Sequence, residues 1–101
     1  MKIVGITACT AGIAHTYIAK EKLLNAAKDL GHEAKIETQG TIGVEDKLTE
    51  EDIKSADVVL IAADINVSGK ERFKGKRVLE VPISIIIKSP KALLKKIESK
   101  L

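Results

Sequence analysis

The segment GITACTAGIAHTYIAKEKLLNAAKDLG, Gly5 to Gly31, holds the chain's one cysteine, Cys9, followed closely by Gly12 and His15. A cysteine acts as a nucleophile through its thiolate, and a pKa near 8.5 falls to roughly 3.5–7.5 beside a helix N-terminus. The residues after Cys9 are small (Thr10, Ala11, Gly12), and a helical pattern begins near Gly12. Such a loop can wrap its N–H groups around an anion while the helix adds its positive end. Donors that favour a thiolate also favour a tetrahedral phosphate on its sulfur. The competing reading is a buried cysteine packing as a small hydrophobe. Placement in a strand-to-helix loop, rather than in the strand, argues for chemistry.

His15 has an ordinary reading, a surface histidine in the first turn of a helix. It also stands where the C-x5-R phosphate loop of cysteine phosphatases carries its arginine. A guanidinium clamps phosphate with two parallel hydrogen bonds, whereas a histidine there offers at most one donor. A phosphocysteine formed in such a loop would persist and could be handed on. No metal is expected, because Cys9, His15 and His32 are the only soft ligands and have no zinc-finger spacing. A dinucleotide cofactor is not expected, since the loop has one glycine where that fingerprint needs three. Glu21 falls on the helix side of Ala14, Tyr17 and Leu24, and reads as an edge residue rather than part of the site.

The elements that must position this loop follow from hydrophobic period. Lys2 to Thr7 (KIVGIT) reads as a strand, and the helical segment after the loop ends at Leu30 and Gly31. Glu33 to Thr38 alternates as a second strand, and QGTIGVED follows as a glycine-containing loop. Thr49 with Asp52 reads as a helix cap before Ile53 to Ala56. Asp57 to Ala63 (DVVLIAA) is a buried third strand of the kind helices cover on both faces. The loop Asp64 to Lys76 leads to a fourth strand, RVLEV, stopped by Pro82. Ile83 to Lys88 fits either a short helix capped by Ser84 or more strand. Ser89 and Pro90 then open a closing helix with Leu93, Leu94, Ile97 and Leu101 on one stripe. This order predicts an α/β fold, an open four-stranded parallel sheet with helices on both faces, in which ligands sit outside the carboxyl ends of the strands.

A chain of 101 residues with 45% apolar and 31% charged residues is expected to form one soluble globular domain. Aromatic residues are only 2%, so base stacking is not expected, and the lysines behind the net charge of +3 are interleaved with acids. No nucleic-acid partner is expected. One cysteine makes no internal disulfide, which leaves the cytoplasm as the expected compartment. The first strand begins at Lys2, so no signal peptide is expected, and Ile83 to Ile87 is too short to cross a bilayer.

The run CTAGIAHTYIAKEKL resembles the C-P-T-G-I-A-H-T-Y segment of the fructose-type EIIB domains of the bacterial phosphoenolpyruvate-dependent sugar phosphotransferase system (PTS). ETQG at Glu37 to Gly40, AAD at Ala62 to Asp64, RFKGK at Arg72 to Lys76, and VP at Val81 and Pro82 extend the likeness over nearly the whole chain. The resemblance implies one such domain over 1–101, of Rossmann-like EIIB type, acting as a phosphoryl carrier. Cys9 would accept phosphate from a phosphohistidine on EIIA and pass it to a sugar, fructose or a related one, held by the membrane component EIIC. The cradle would be Thr10, Ala11, Gly12, Ile13, Ala14, His15 and Thr16, with no cofactor. The chain would work in the cytoplasm, at the inner face of the membrane through EIIC. Thr10 and Ala11 depart from the pattern, standing where the family has Pro and Thr. Two other readings are a cysteine-dependent phosphatase or arsenate-reductase-like enzyme, and a non-catalytic regulatory module. The latter would bind a partner through Asp64 to Phe73, with Phe73 either an interface anchor or a core residue.

Overall fold

A computed structural model describes residues 1–8, 13–40 and 43–100, with only the backbone at 13, 14 and 100. The strands are β1 (Lys2–Ala8), β2 (Glu33–Gly40), β3 (Gly43–Glu45), β4 (Val58–Ala63) and β5 (Val78–Val81). The helices are α1 (Ile13–Asp29), α2 (Glu50–Ser55), α3 (Ile83–Lys88) and α4 (Pro90–Lys100), and Lys70–Phe73 forms a 3-10 turn. The sheet order is β3-β2-β1-β4-β5. Neighbours β2, β1, β4 and β5 run parallel, and β3 is antiparallel to β2.

Alternation along the central strands sends side chains to two faces, and each face has its own core. Ile3, Val58 and Leu60 pack with Leu23 of α1, Ile86 of α3 and Leu94 of α4. Val4, Ile6, Val59 and Ile61 pack on the other side with Leu48, Ile53 of α2 and Phe73. Helices therefore cover both faces, as the sequence predicts. At Gly5 a β-carbon would lie 2.5 Å from the carbonyl oxygen of Leu60 and 3.2 Å from Cδ1 of Ile36, so only glycine lets the three central strands sit this close.

Helix ends follow local chemistry. Gly31, at φ +79°, closes α1. The His32 N–H reaches the Ala27 carbonyl at 2.8 Å and the Gly31 N–H reaches Lys28 at 3.1 Å, a Schellman termination. The Thr49 cap expected for α2 is present: the Asp52 N–H donates to Thr49 Oγ1 at 3.1 Å, and the Thr49 N–H donates to Asp52 Oδ2 at 2.9 Å.

Two expectations need correction. QGTIGVED is not loop throughout, because Gly43–Glu45 pairs back onto β2 as Thr38↔Glu45 and Gln39↔Val44. The sheet thus has five strands rather than four. A three-residue glycine-led edge strand is too short to show alternation. Ile83 to Lys88 is a helix, with Ile83 and Ile86 buried, but Ser84 does not cap it. Pro82 occupies the cap position, and Asp64 Oδ1 accepts the Ile83 N–H at 3.3 Å. The capping group comes from the end of β4, beyond the reach of local sequence signals.

Candidate functional site

The order of strands reverses direction at β1, with β2 on one side and β4 on the other. That makes the carboxyl end of β1 the switch point at which α/β sheets open a crevice. The chain leaves β1 at Ala8 and enters α1 at Ile13. The sequence assigned chemistry to this connection, and Cys9, Thr10, Ala11 and Gly12 lie outside the described residues.

The other four cradle residues lie in the first turn of α1. The first four N–H groups of a helix have no intrahelical acceptor, and in α1 these belong to residues 13–16. No acidic residue stands in that turn to offset the positive end of the helix. His15 is exposed. Thr16 is 3% exposed, and its carbonyl accepts the Thr7 hydroxyl at 3.2 Å, tying the first turn of α1 to β1. The Thr16 Oγ1 is itself buried and has no hydrogen-bond partner among the described residues. A buried hydroxyl left in that state costs about 1–3 kcal/mol, and a bound oxyanion would satisfy it.

Both sides of β1 are braced. Ala8 registers with Gln39 of β2 and with Ala63 of β4, and its carbonyl accepts the Asp64 N–H at 3.2 Å. Gln39 Nε2 donates to the Ser68 carbonyl at 2.9 Å, and the Ser68 N–H donates to Gln39 Oε1 at 2.9 Å. The β2–β3 hairpin is fastened to α1 by the Tyr17 hydroxyl donating to Glu45 and by Lys20 pairing with Asp46. The hydrogen bond to Glu45 raises the Tyr17 pKa above that of an ordinary phenol, and Lys20 holds Asp46 below the usual carboxylate range.

Beneath this lies Glu37, a carboxylate 1% exposed. Its oxygens accept from Arg72 Nη1 at 3.0 Å, Arg72 Nη2 at 3.1 Å, the Leu48 N–H at 2.9 Å and Gln39 Nε2 at 2.8 Å. Burial pushes its pKa up, but the bonds from Arg72, Gln39 and Leu48 together outweigh burial and hold it below the ordinary value. The first residue of ETQG thus pairs with the first residue of RFKGK. A glutamate in an alternating strand and an arginine in a loop carry no pairing signal of their own.

The remaining candidates fall elsewhere. Phe73 is 3% exposed within the α2-side core, with the Arg72 guanidinium 5.1 Å from its ring centroid, so it is a core residue and not an interface anchor. His32 sits at the amino end of the sheet, its ring contacting Glu98 and the amino terminus. Glu21 is exposed. Among the described residues, no group of three or more His, Cys, Asp or Glu side chains is placed to hold a metal, and no helix is long and apolar enough to cross a membrane.

The family model described as "PTS system, Lactose/Cellobiose specific IIB subunit" matches residues 4–96, so the chain belongs to the IIB family of the PTS. Within that family it is similar to fructose-type members. It is 50% identical over 100 residues to the "PTS system fructose-like EIIB component 2" of Escherichia coli strain K12, covering 99% of this chain and 94% of that one. It is 48% identical over 95 residues to the "PTS system fructose-specific EIIABC component" of Bacillus subtilis, covering 94% of this chain and 15% of that longer protein. A crystal structure of a domain of the fructose-specific IIABC component from Borrelia burgdorferi superposes with a TM-score of 0.87 at 45% identity, covering 94% of this chain and 90% of that one.

Proposed function

We propose that residues 1–101 are a single fructose-type EIIB domain and that Cys9 is its phosphoryl carrier. The observation that carries this reading is the switch point: β1 ends there at Ala8, α1 begins at Ile13, and the buried Thr16 hydroxyl in its first turn has no partner among the described residues. In the first step the Cys9 thiolate attacks the phosphorus of a phosphohistidine on EIIA. The S–P bond forms as the N–P bond breaks, and the departing imidazole nitrogen keeps the electron pair and takes up a proton. In the second step a hydroxyl of the sugar held by EIIC attacks the same phosphorus. The O–P bond forms, the S–P bond breaks, the thiolate is restored, and the hydroxyl proton is released. Thr10, Ala11, Gly12, Ile13, Ala14, His15 and Thr16 form the cradle, which stabilises the transferring group by positioned donors without metal or cofactor.

The phosphatase reading lacks its clamp. The chain's two arginines are Arg72 and Arg77. Arg72 spends its Nη1 and Nη2 donors on Glu37 and its Nε on the Gly69 carbonyl at 2.7 Å. Arg77 precedes β5, at the amino end of the sheet. With His15 in the clamp position, phosphate on Cys9 is held for transfer rather than hydrolysed.

The relatives' names support fructose as the sugar class and EIIA and EIIC as partners, since EIIA, EIIB and EIIC are joined in one B. subtilis chain. The place of work is the cytoplasm, at the inner face of the membrane through EIIC. The test is reconstitution with a phosphorylated EIIA and EIIC vesicles. Sugar phosphate should form with the wild-type protein and not with Cys9→Ser; a Cys9→Ser protein that still relays phosphate overturns the proposal.

A further inference from the structure

We propose that Glu37, Arg72 and Gln39 are a positioning set for the β1–α1 connection, acting through the segment 64–69 without touching the phosphoryl group. The inference rests on reading that connection as the phosphate acceptor.

Glu37 and Gln39 are two residues apart on β2, so their side chains leave the same face of the sheet. Glu37 holds Arg72 by both terminal guanidinium nitrogens, and Arg72 Nε holds the Gly69 carbonyl at 2.7 Å. Gly69 has φ +80°, and a β-carbon there would stand 2.7 Å from Arg72 Nε. The guanidinium therefore packs directly on the turn it fixes. Gln39 joins the set by donating to Glu37 Oε2 at 2.8 Å and exchanging two hydrogen bonds with the backbone of Ser68.

The other end of this segment is tied to the site itself. The Asp64 N–H bonds the carbonyl of Ala8, the residue before Cys9, and Gln39 lies opposite Ala8 in register. Segment 64–69 is thus tied at one end to Ala8, at the end of β1, and at the other to the Glu37–Arg72 pair. A displacement of about 1 Å remote from the chemistry can cost up to about a hundredfold in rate. A buried, charge-assisted, bidentate anchor is the arrangement that resists such a displacement.

Gln39→Leu removes every hydrogen bond to Ser68 and the bond to Glu37 Oε2, and leaves both bonds between Arg72 and Glu37 in place. Its circular dichroism at assay temperature should match wild type, and its KM for phosphorylated EIIA should stay within about twofold, while kcat for phosphate acceptance falls about tenfold. Alkylation of Cys9 by iodoacetamide, which needs no partner protein, should slow several-fold. A folded Gln39→Leu protein with wild-type kcat and wild-type alkylation overturns the proposal, as does a loss that lies wholly in KM. If Gln39→Leu does not fold, Glu37→Gln, which keeps the side chain's shape, is read against the same outcomes. Wild-type protein that accepts no phosphate would refute the carrier reading, and the alkylation comparison would still decide the positioning claim.

Discussion

The Glu37 carboxylate and the Arg72 guanidinium, 35 residues apart in sequence, meet in two near-parallel hydrogen bonds of 3.0 and 3.1 Å beneath the carboxyl end of the sheet. Water cannot solvate a carboxylate that is 1% exposed, so the pair depends on its partners. Removing one partner of a buried pair leaves an uncompensated charge and costs about 3–5 kcal/mol. Arg72→Leu should lose stability in that range by urea unfolding, and Glu37→Leu with Arg72→Leu should lose less than Arg72→Leu alone. A double variant less stable than the single would contradict this.

Acid should act through the same carboxylate. The Glu37 pKa is held below its ordinary value in the folded state, so the contribution is complete above the unfolded value, about 4.3, and is lost as pH falls through the lowered folded value. The stability difference between wild type and Glu37→Gln should be constant above about pH 5 and shrink below it. A difference that grows with acid would show that Glu37 is not held ionised.

At the sheet centre, Gly5→Ala places a methyl group against a backbone oxygen, the Leu60 carbonyl at 2.5 Å, which cannot rotate away. The expected cost is about 1–3 kcal/mol, read by thermal or urea unfolding. An alanine protein as stable as wild type would mean that β1 and β4 separate at no cost.

On the α2 side, Thr49→Ala removes the hydroxyl that accepts the Asp52 N–H, an expected loss of about 1 kcal/mol by urea unfolding. Asp52 is held well below the usual carboxylate range, first by Lys35 and then by Thr49. Its bond to Lys35, at 2.6 Å, should survive the substitution.

Sequence reading reached the parts of this fold that local patterns encode. KIVGIT and DVVLIAA are apolar runs and became β1 and β4. Thr49 and Asp52 carry a capping pattern and form it. Gly31 ends α1 because it stands where a left-handed residue is required. What sequence could not reach was written across distance. β3 exists because Gly43–Glu45 can fold back on β2, and three residues show no period. Asp64 caps α3 from just past the end of β4, and Phe73, which sequence left as either an interface anchor or a core residue, packs with Leu48 and Ile53. At the site, the start of α1 close to Gly12 was legible from residue type and spacing, and the Cys9 connection lies outside the described residues. The Glu37–Arg72 and Gln39–Ser68 contacts were not, because those residues meet only once the sheet has formed.

The carrier reading stands on one atom, the sulfur of Cys9. Incubation of the full chain with phosphorylated EIIA, followed by peptide mass spectrometry, tests it most directly. One phosphoryl group should appear on the peptide carrying Cys9, bonded to sulfur and discharged when EIIC and sugar are added. Phosphate found on His15 instead, or a wild-type chain that takes up none from a competent donor, would contradict it.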